Sequence, residues 1–113
     1  MKRYRAVFHL TEAERANLAL NNVGNLLADL GEDRVEAEVV ANSEGVKALL
    51  KSGPYRDRVE KLAARGVRFV LCSRSIKAMK LETGEFLDLA EIVPTGTGEL
   101  VKKQVDGWAY LRP

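Results

Sequence analysis

The segment Val67-Arg68-Phe69-Val70-Leu71-Cys72 is the most informative stretch of this 113-residue sequence. Arg68 is its only polar residue apart from the thiol of Cys72, and Gly66 precedes it. A short apolar run that follows a turn signal is typical of a strand covered on both faces in the middle of a parallel sheet. The segment therefore predicts an interior strand, and it places a cysteine at the carboxyl end of that strand.

The residues before this segment alternate between strand and helix patterns. Residues 4–9 combine aromatic and β-branched side chains and predict a first strand. Thr11 and Glu14 then have the spacing of a capping box, and Gly31 marks the end of the helix that this box opens. The apolar residues of that helix recur at steps of three and four and predict one buried stripe, made of Ala16, Leu20, Val23, Leu27 and Leu30.

A second strand is predicted over residues 35–41. Glu36 and Glu38 alternate with apolar residues at its start, which predicts that one face of this strand is partly wet. Two short helices are expected before the interior strand, around residues 46–50 and 59–63.

The remaining elements follow the interior strand. Ser73 is expected to cap a short helix that runs to Met79, and residues 91–93 are expected to form a brief strand that Pro94 ends. Thr95 or Thr97 is predicted to cap the last helix, and residues 108–111 are predicted to form the final strand. The apolar residues that this last helix is expected to bury are Leu100, Val101 and Val105.

Alternating strands and helices define the fold class as α/β. The prediction is a single three-layer α/β/α domain over residues 1–113, with a mainly parallel five-stranded sheet and helices on both faces. The order of the strands stays open at this point.

The charge of the chain is unevenly distributed. The formal net charge is only +2, but ten basic and two acidic side chains lie between Lys47 and Lys80. Such a surface either is a set of solvated helix faces or favours an anionic ligand or an acidic partner. Nucleic acid is not an expected partner, because the basic stretch lacks interleaved aromatic residues and acidic segments flank it.

A single cysteine excludes a disulfide within the chain and fits a reducing compartment. The N-terminus leads from Met1 and Lys2 into an apolar run that is too short for a signal peptide or a membrane span. We therefore expect a cytoplasmic protein with no membrane association.

Ligands of open α/β sheets bind beyond the carboxyl ends of the strands, and this rule selects the candidate site residues. Cys72 is the candidate nucleophile, because a helix N-terminus and nearby cations stabilise a thiolate. Alternatively, Cys72 is a small buried apolar residue without reactivity. The candidate binding residues around it are His9, Asn42, Ser43, Ser73, Arg74, Lys77 and Thr95.

Other chemistries have weaker support in the sequence. His9 lacks a second ligand at metal spacing, so no metal site is expected, but it is a candidate base for Cys72 if the first and third strands are neighbours. The Gly96-Thr97-Gly98 segment lacks the spacing of a phosphate-binding or dinucleotide-binding loop and predicts a helix start. No cofactor is expected.

Several segments together resemble one known family. They are the strand that ends in Cys72, the Val93-Pro94 pair and, most specifically, the closing Gln104-Val105-Asp106-Gly107-Trp108-Ala109-Tyr110-Leu111. Residues 22–27 and 39–45 extend the likeness over nearly the whole chain. The sequence resembles the DsrE/DsrF-like (YchN-like) proteins of intracellular sulfur metabolism.

This resemblance implies a small α/β/α domain that assembles as homotrimers or homohexamers. It also implies that Cys72 carries a persulfide, which it receives from a sulfur donor and passes to an acceptor protein. Ser73-Arg74-Ser75 departs from the small apolar residues that follow the cysteine in those carriers. The competing hypothesis is a non-catalytic oligomeric module that binds a small anion while Cys72 stays inert.

Overall fold

In the computed structural model, which describes residues 3–113, five parallel strands form one sheet in the order β4-β3-β2-β1-β5. The strands are β1 Tyr4–Leu10, β2 Val35–Ala41, β3 Arg68–Cys72, β4 Glu91–Val93 and β5 Ala109–Leu111. The predicted α/β fold is confirmed, and β3 is an interior strand as expected. The predictions that concern Met1 and Lys2 lie outside the described residues.

Within the described residues, four α-helices cover the two faces of this sheet. They are α1 Ala16–Leu30, α2 Arg56–Ala64, α3 Ser73–Ala78 and α4 Gly96–Val105. Helix α4 joins the two edge strands β4 and β5, so it crosses the sheet from one side to the other. No helix within residues 3–113 is both long and apolar enough to cross a membrane.

The side chains of each strand alternate between two apolar clusters. Phe8, Val39 and Phe69 belong to the larger cluster, which α1 and α2 cover. The smaller cluster lies under α4, and its buried members are Val7, Val40, Val70 and Leu100.

The start of α1 differs from the prediction. A short 3-10 turn over Ala13–Arg15 precedes the helix, which begins at Ala16 without a side-chain cap, so the Thr11 and Glu14 capping box is wrong. The predicted end is confirmed, because Gly31 takes a φ of 98° that favours glycine. The predicted stripe is buried except for Leu30, which is half-buried.

Two further predictions about these elements are wrong. Ser73 is the first residue of α3 rather than its cap, since Cys72 occupies the cap position. Val101 and Val105 point to solvent, with 55% and 80% of their surface exposed, and only Leu100 of the predicted set is buried. The prediction that one face of β2 is partly wet at its start is confirmed at Glu36, whose side chain is 44% exposed, whereas Glu38 is completely buried because α4 covers this part of the face.

Candidate functional site

The carboxyl ends of β2 and β3 meet the first turn of α4, and Cys72 lies at this junction. It is the last residue of β3 and immediately precedes α3. Only 6% of its surface is exposed. The thiol is therefore almost covered, and its reactivity depends on the groups that surround it.

Hydrogen-bond donors surround the Cys72 sulfur. They are the Ser75 hydroxyl and the backbone N–H groups of Gly96, Ser75 and Arg74. Burial, the largest single influence, raises the pKa of the thiol, but these hydrogen bonds together bring the pKa of Cys72 below its ordinary value. Donors of this kind stabilise the thiolate over the thiol, as an activated sulfur nucleophile requires.

Ser75 is held in place by the loop that follows β2. The backbone N–H of Ser43 donates a hydrogen bond of 2.7 Å to the Ser75 hydroxyl oxygen. Ser43 reaches this position with a φ of 52°, a left-handed conformation that few non-glycine residues adopt. Because the Ser75 oxygen already accepts this bond, its single proton is free to point at the sulfur.

The first turn of α4 supplies the donor on the other side of the thiol. The Thr95 hydroxyl accepts a hydrogen bond of 2.9 Å from the Gly98 N–H, which confirms Thr95 as the cap of this helix. Gly96 is buried against the end of β2, where an added Cβ would lie 3.0 Å from the Asn42 Cβ. A glycine at this position lets the helix N-terminus approach the sheet and the sulfur.

His9 forms a separate polar group with Asn42 and Tyr110. Its Nε2 lies 2.9 Å from the Asn42 Oδ1, and its Nδ1 lies 2.6 Å from the Tyr110 hydroxyl. Burial chiefly lowers the pKa of His9, aided by the Arg112 charge and opposed by the Asn42 hydrogen bond, so the neutral ring is favoured. Strand β2 separates β1 from β3 by two strand spacings, about 10 Å, and both ring nitrogens have other partners. The condition for a His9 and Cys72 couple, neighbouring first and third strands, is not met.

Arg74 and Lys77 lie beside the thiol rather than on it. Their side chains border an open pocket of about 470 Å³, whose other lining residues are Ser73, Ile92, Val93, Pro94 and Thr95. Neither cation forms an ion pair with a residue of the described chain. The groups that lower the pKa of Cys72 are N–H and O–H donors, and Arg74 contributes through its backbone instead of its charge.

The structure thus gathers most of the predicted site residues and adds two. Asn42, Ser43, Ser73 and Thr95 surround the thiol region, while His9 reaches it only through Asn42. Ser75 and Gly96 are not among the site residues predicted from the sequence. Two local features indicate them: a serine in the first turn after the cysteine, and a glycine directly after a threonine cap.

Taken together, the site is a thiol at the end of an interior parallel strand, held by the first turns of α3 and α4. The model of the DsrE/DsrF-like family matches residues 4–113. The chain belongs to this family, whose fold is consistent with sulfur relay.

Three solved structures have the same fold. A protein of unknown function from Methanobacterium thermoautotrophicum, MTH1491, is 41% identical with a TM-score of 0.92, and the match covers 97% of this chain and 99% of that one. The ychN protein of E. coli is 18% identical with a TM-score of 0.79, and both chains are covered completely. BT1422 of Bacteroides thetaiotaomicron, of unknown function, is 9% identical with a TM-score of 0.76, at 96% and 94% coverage. No curated protein matches the sequence.

Proposed function

We propose that this protein is a sulfur carrier that binds sulfane sulfur as a persulfide on Cys72. The observation that carries the proposal is the set of donors around the sulfur, which lowers the pKa of the only thiol in the chain. Membership of the DsrE/DsrF-like family supports the same chemistry. An unpaired thiol is also typical of proteins that work in the reducing cytoplasm, where we expect this one to act.

The proposed reaction is thiol–persulfide exchange and needs no external oxidant. The Cys72 thiolate attacks the outer sulfur of a donor R–S–SH, the donor S–S bond breaks, and the donor leaves as a thiolate R–S⁻ while Cys72–S–SH forms. An acceptor thiolate then takes the outer sulfur by the same exchange and regenerates the Cys72 thiolate. One cysteine is sufficient because no disulfide within the chain is formed.

The surroundings of Cys72 fit this exchange. The pocket bordered by Ser73 and Thr95 lies next to Cys72, and the outer sulfur of the persulfide would point toward it. Arg74 and Lys77 have free charges there, and they would favour the deprotonated persulfide. Only 6% of Cys72 is exposed and it does not line this pocket, so the groups that cover the thiol must move before a donor reaches the sulfur.

We further propose that the carrier is a homo-oligomer, a trimer or a hexamer. Its support is the apolar surface that the chain leaves uncovered on α4 and β5, at Val101, Val105, Tyr110 and Leu111. Exposed apolar side chains that cluster on one part of a small domain are typical of an interface. Light scattering is expected to give a multiple of 12.5 kDa, and a stable monomer at micromolar concentration would contradict this proposal.

The sulfur carrier is tested by intact-mass measurement. After incubation with cysteine persulfide and removal of the excess, the wild type is expected to gain the mass of one sulfur atom. Cys72→Ser should gain nothing under the same conditions. If the native wild type takes up no sulfur although the donor is active on another thiol, the carrier function is wrong.

The second candidate function is the binding of a small anion with an inert Cys72. The two unpaired cations at the pocket and the 6% exposure of the thiol favour it. The same variant separates the two functions, since Cys72→Ser would keep anion affinity in a binding module, whereas Arg74→Ala with Lys77→Ala would lose it. Calorimetric titration with thiosulfate gives this measurement.

A further inference from the structure

A cluster of charged residues lies between the sheet and α4, away from the thiol, and it is buried at Glu38 but open to solvent at Arg68 and Glu91. Glu38 of β2 is completely buried, and its Oε1 lies 3.1 Å from Arg68 Nη1 and 3.8 Å from Lys103 Nζ. Lys103 also lies 3.7 Å from Glu99, and Arg68 binds Glu91 through two hydrogen bonds of 2.9 and 3.1 Å. The cluster thus joins β2, β3 and β4 to α4.

Glu38 is the member of this cluster that burial affects most. Its carboxyl group has no contact with solvent, and the Glu99 carboxyl beside it is largely covered, whereas Glu91 and Arg68 reach the solvent. Neither oxygen of Glu38 accepts a well-aligned hydrogen bond from a described N–H or O–H donor, and a buried carboxylate without such bonds is costly. The proton is therefore placed on Glu38, which donates it to Glu99.

The other charged groups on this face have partners or are exposed. Arg5 of β1 lies over the Trp108 ring, 6.0 Å from its centre. Glu36 of β2 pairs with Arg3 at the exposed end of the strand, and Lys102 of α4 points to solvent. None of these groups forms an ion pair with Glu38, whose described ion-pair partners are Arg68 and Lys103.

The ionisation behaviour of the pair agrees with this assignment. Burial, the hydrogen bond to Glu99 and the Glu99 charge raise the pKa of Glu38 to about 8, against the smaller effects of Lys103 and Arg68. The same hydrogen bond is the main cause that lowers the pKa of Glu99. The pair holds one proton at neutral pH, and it releases this proton only when the pH passes about 8 or α4 moves away from the sheet.

We propose that Glu38 and Glu99 are positioning residues for Cys72. A proton shared by their carboxyl groups holds α4 against the sheet, and α4 in turn directs the Gly96 N–H to the sulfur. The inference rests on the proposed function in taking the Cys72 thiol as the working group. Cys72 is covered at the junction where α4 begins, so opening of α4 both removes a donor from the thiolate and admits reagents.

The direction of the pH effect follows from proton linkage. While α4 is packed on the sheet, Glu38 and Glu99 together keep one proton. An ordinary carboxyl group has lost its proton above its pKa of 4.5, so opening of α4 releases that proton. The equilibrium constant for opening of α4 therefore rises about tenfold for each pH unit between about 5 and 8. The rise stops above the pKa that the pair has while α4 is packed on the sheet.

The test is the protection of α4 amides from hydrogen exchange between pH 6 and 8, together with the rate of Cys72 alkylation by iodoacetamide. In the wild type, α4 protection should fall about tenfold per pH unit once the intrinsic exchange rate is divided out. Alkylation should rise more steeply with pH than a single thiol titration allows. In Glu38→Gln, which keeps the hydrogen bond and cannot ionise, protection of α4 should stay constant and alkylation should follow one titration.

Glu36→Gln, on the same strand and the same face, is the matched control and should behave like the wild type. Glu99→Gln is a second variant that should weaken the pH dependence, because it removes the Glu99 charge that helps to raise the pKa of Glu38 but leaves Glu38 buried. The proposal is overturned if α4 protection is independent of pH in the wild type, or if it falls equally in the wild type and both cluster variants. If Cys72 forms no persulfide but the opening of α4 depends on pH as predicted, the carrier function alone is wrong.

Discussion

The two faces of the sheet are built on different principles. On the α1 face, three phenylalanines and many aliphatic residues form a continuous apolar core. On the α4 face, four buried apolar residues surround a buried carboxyl group and its ion pairs. The first face supplies most of the apolar burial, whereas the second carries the polar groups and the helix N-terminus that reach Cys72.

This difference has a consequence for dynamics. A helix that buries few apolar contacts opens at a lower free-energy cost than one that belongs to the main core. Helix α4 buries Leu100 and Gly96 and leaves Val101 and Val105 exposed. We infer that the thiol is placed on the less stable face, where access to a covered sulfur is possible without unfolding the domain.

The largest effect is expected from the α1 face. Phe69→Ala removes a side chain that is 1% exposed and should lower the free energy of unfolding by about 3–5 kcal/mol. Leu100→Ala, on the α4 face, should cost closer to 2 kcal/mol, the lower end for such a truncation, because the site is thinly covered. Urea unfolding measures both values.

Hydrogen exchange shows where each loss falls. In Leu100→Ala, the amides of α4 should lose protection from exchange by local opening. The amides of α1 and β1 should keep the protection that the global stability of the variant gives. If Leu100→Ala destabilises the protein as much as Phe69→Ala, and α4 exchanges only by global unfolding, then the two faces do not differ as described.

A smaller effect is expected at the start of α4. Thr95→Ala removes the cap hydrogen bond to Gly98 and should cost about 1 kcal/mol. It should also raise the pKa of Cys72, because the Gly96 N–H is less firmly held against the sulfur. The matched control is Thr97→Ala, an exposed residue of the same turn. Equal changes in the two variants would show that the cap does not act on the thiol.

The sequence predicts the elements that depend on local patterns. The apolar run of β3 and the glycine at the end of α1 each fix a structure through neighbouring residues, and both predictions are confirmed. Glu38 could not be predicted in this way, because the residues that surround it come from β3 and from α4, which begins almost 60 residues later in the chain.

Helix α4 shows why an apolar stripe is not always the buried one. Val101 and Val105 lie four residues apart and form an apolar stripe, which favours burial by pattern alone. The structure instead turns Glu99 and Lys103 toward the sheet, because the buried carboxyl of Glu38 requires a proton acceptor and a cation. The side of α4 that is buried is therefore determined by Glu38, which lies in β2 and not in the sequence of the helix.

The candidate site was predictable to a similar extent. The rule that ligands bind at the carboxyl ends of strands found Cys72 and most of its neighbours. The strand order was needed to show that β2 separates His9 from Cys72. Ser75 and Gly96 act through a hydroxyl proton and a backbone N–H, groups that residue types at strand ends do not reveal.

The pKa of the Cys72 thiol tests the activation of this cysteine most directly. It is measured by the pH dependence of alkylation in the folded protein and in the same chain unfolded in urea. The donors around the sulfur predict a lower pKa in the folded protein, and Ser75→Ala should raise it while Ser73→Ala leaves it nearly unchanged. A folded-state pKa equal to or above the unfolded value would contradict the account, because burial would then outweigh the hydrogen bonds and Cys72 would be an inert buried residue.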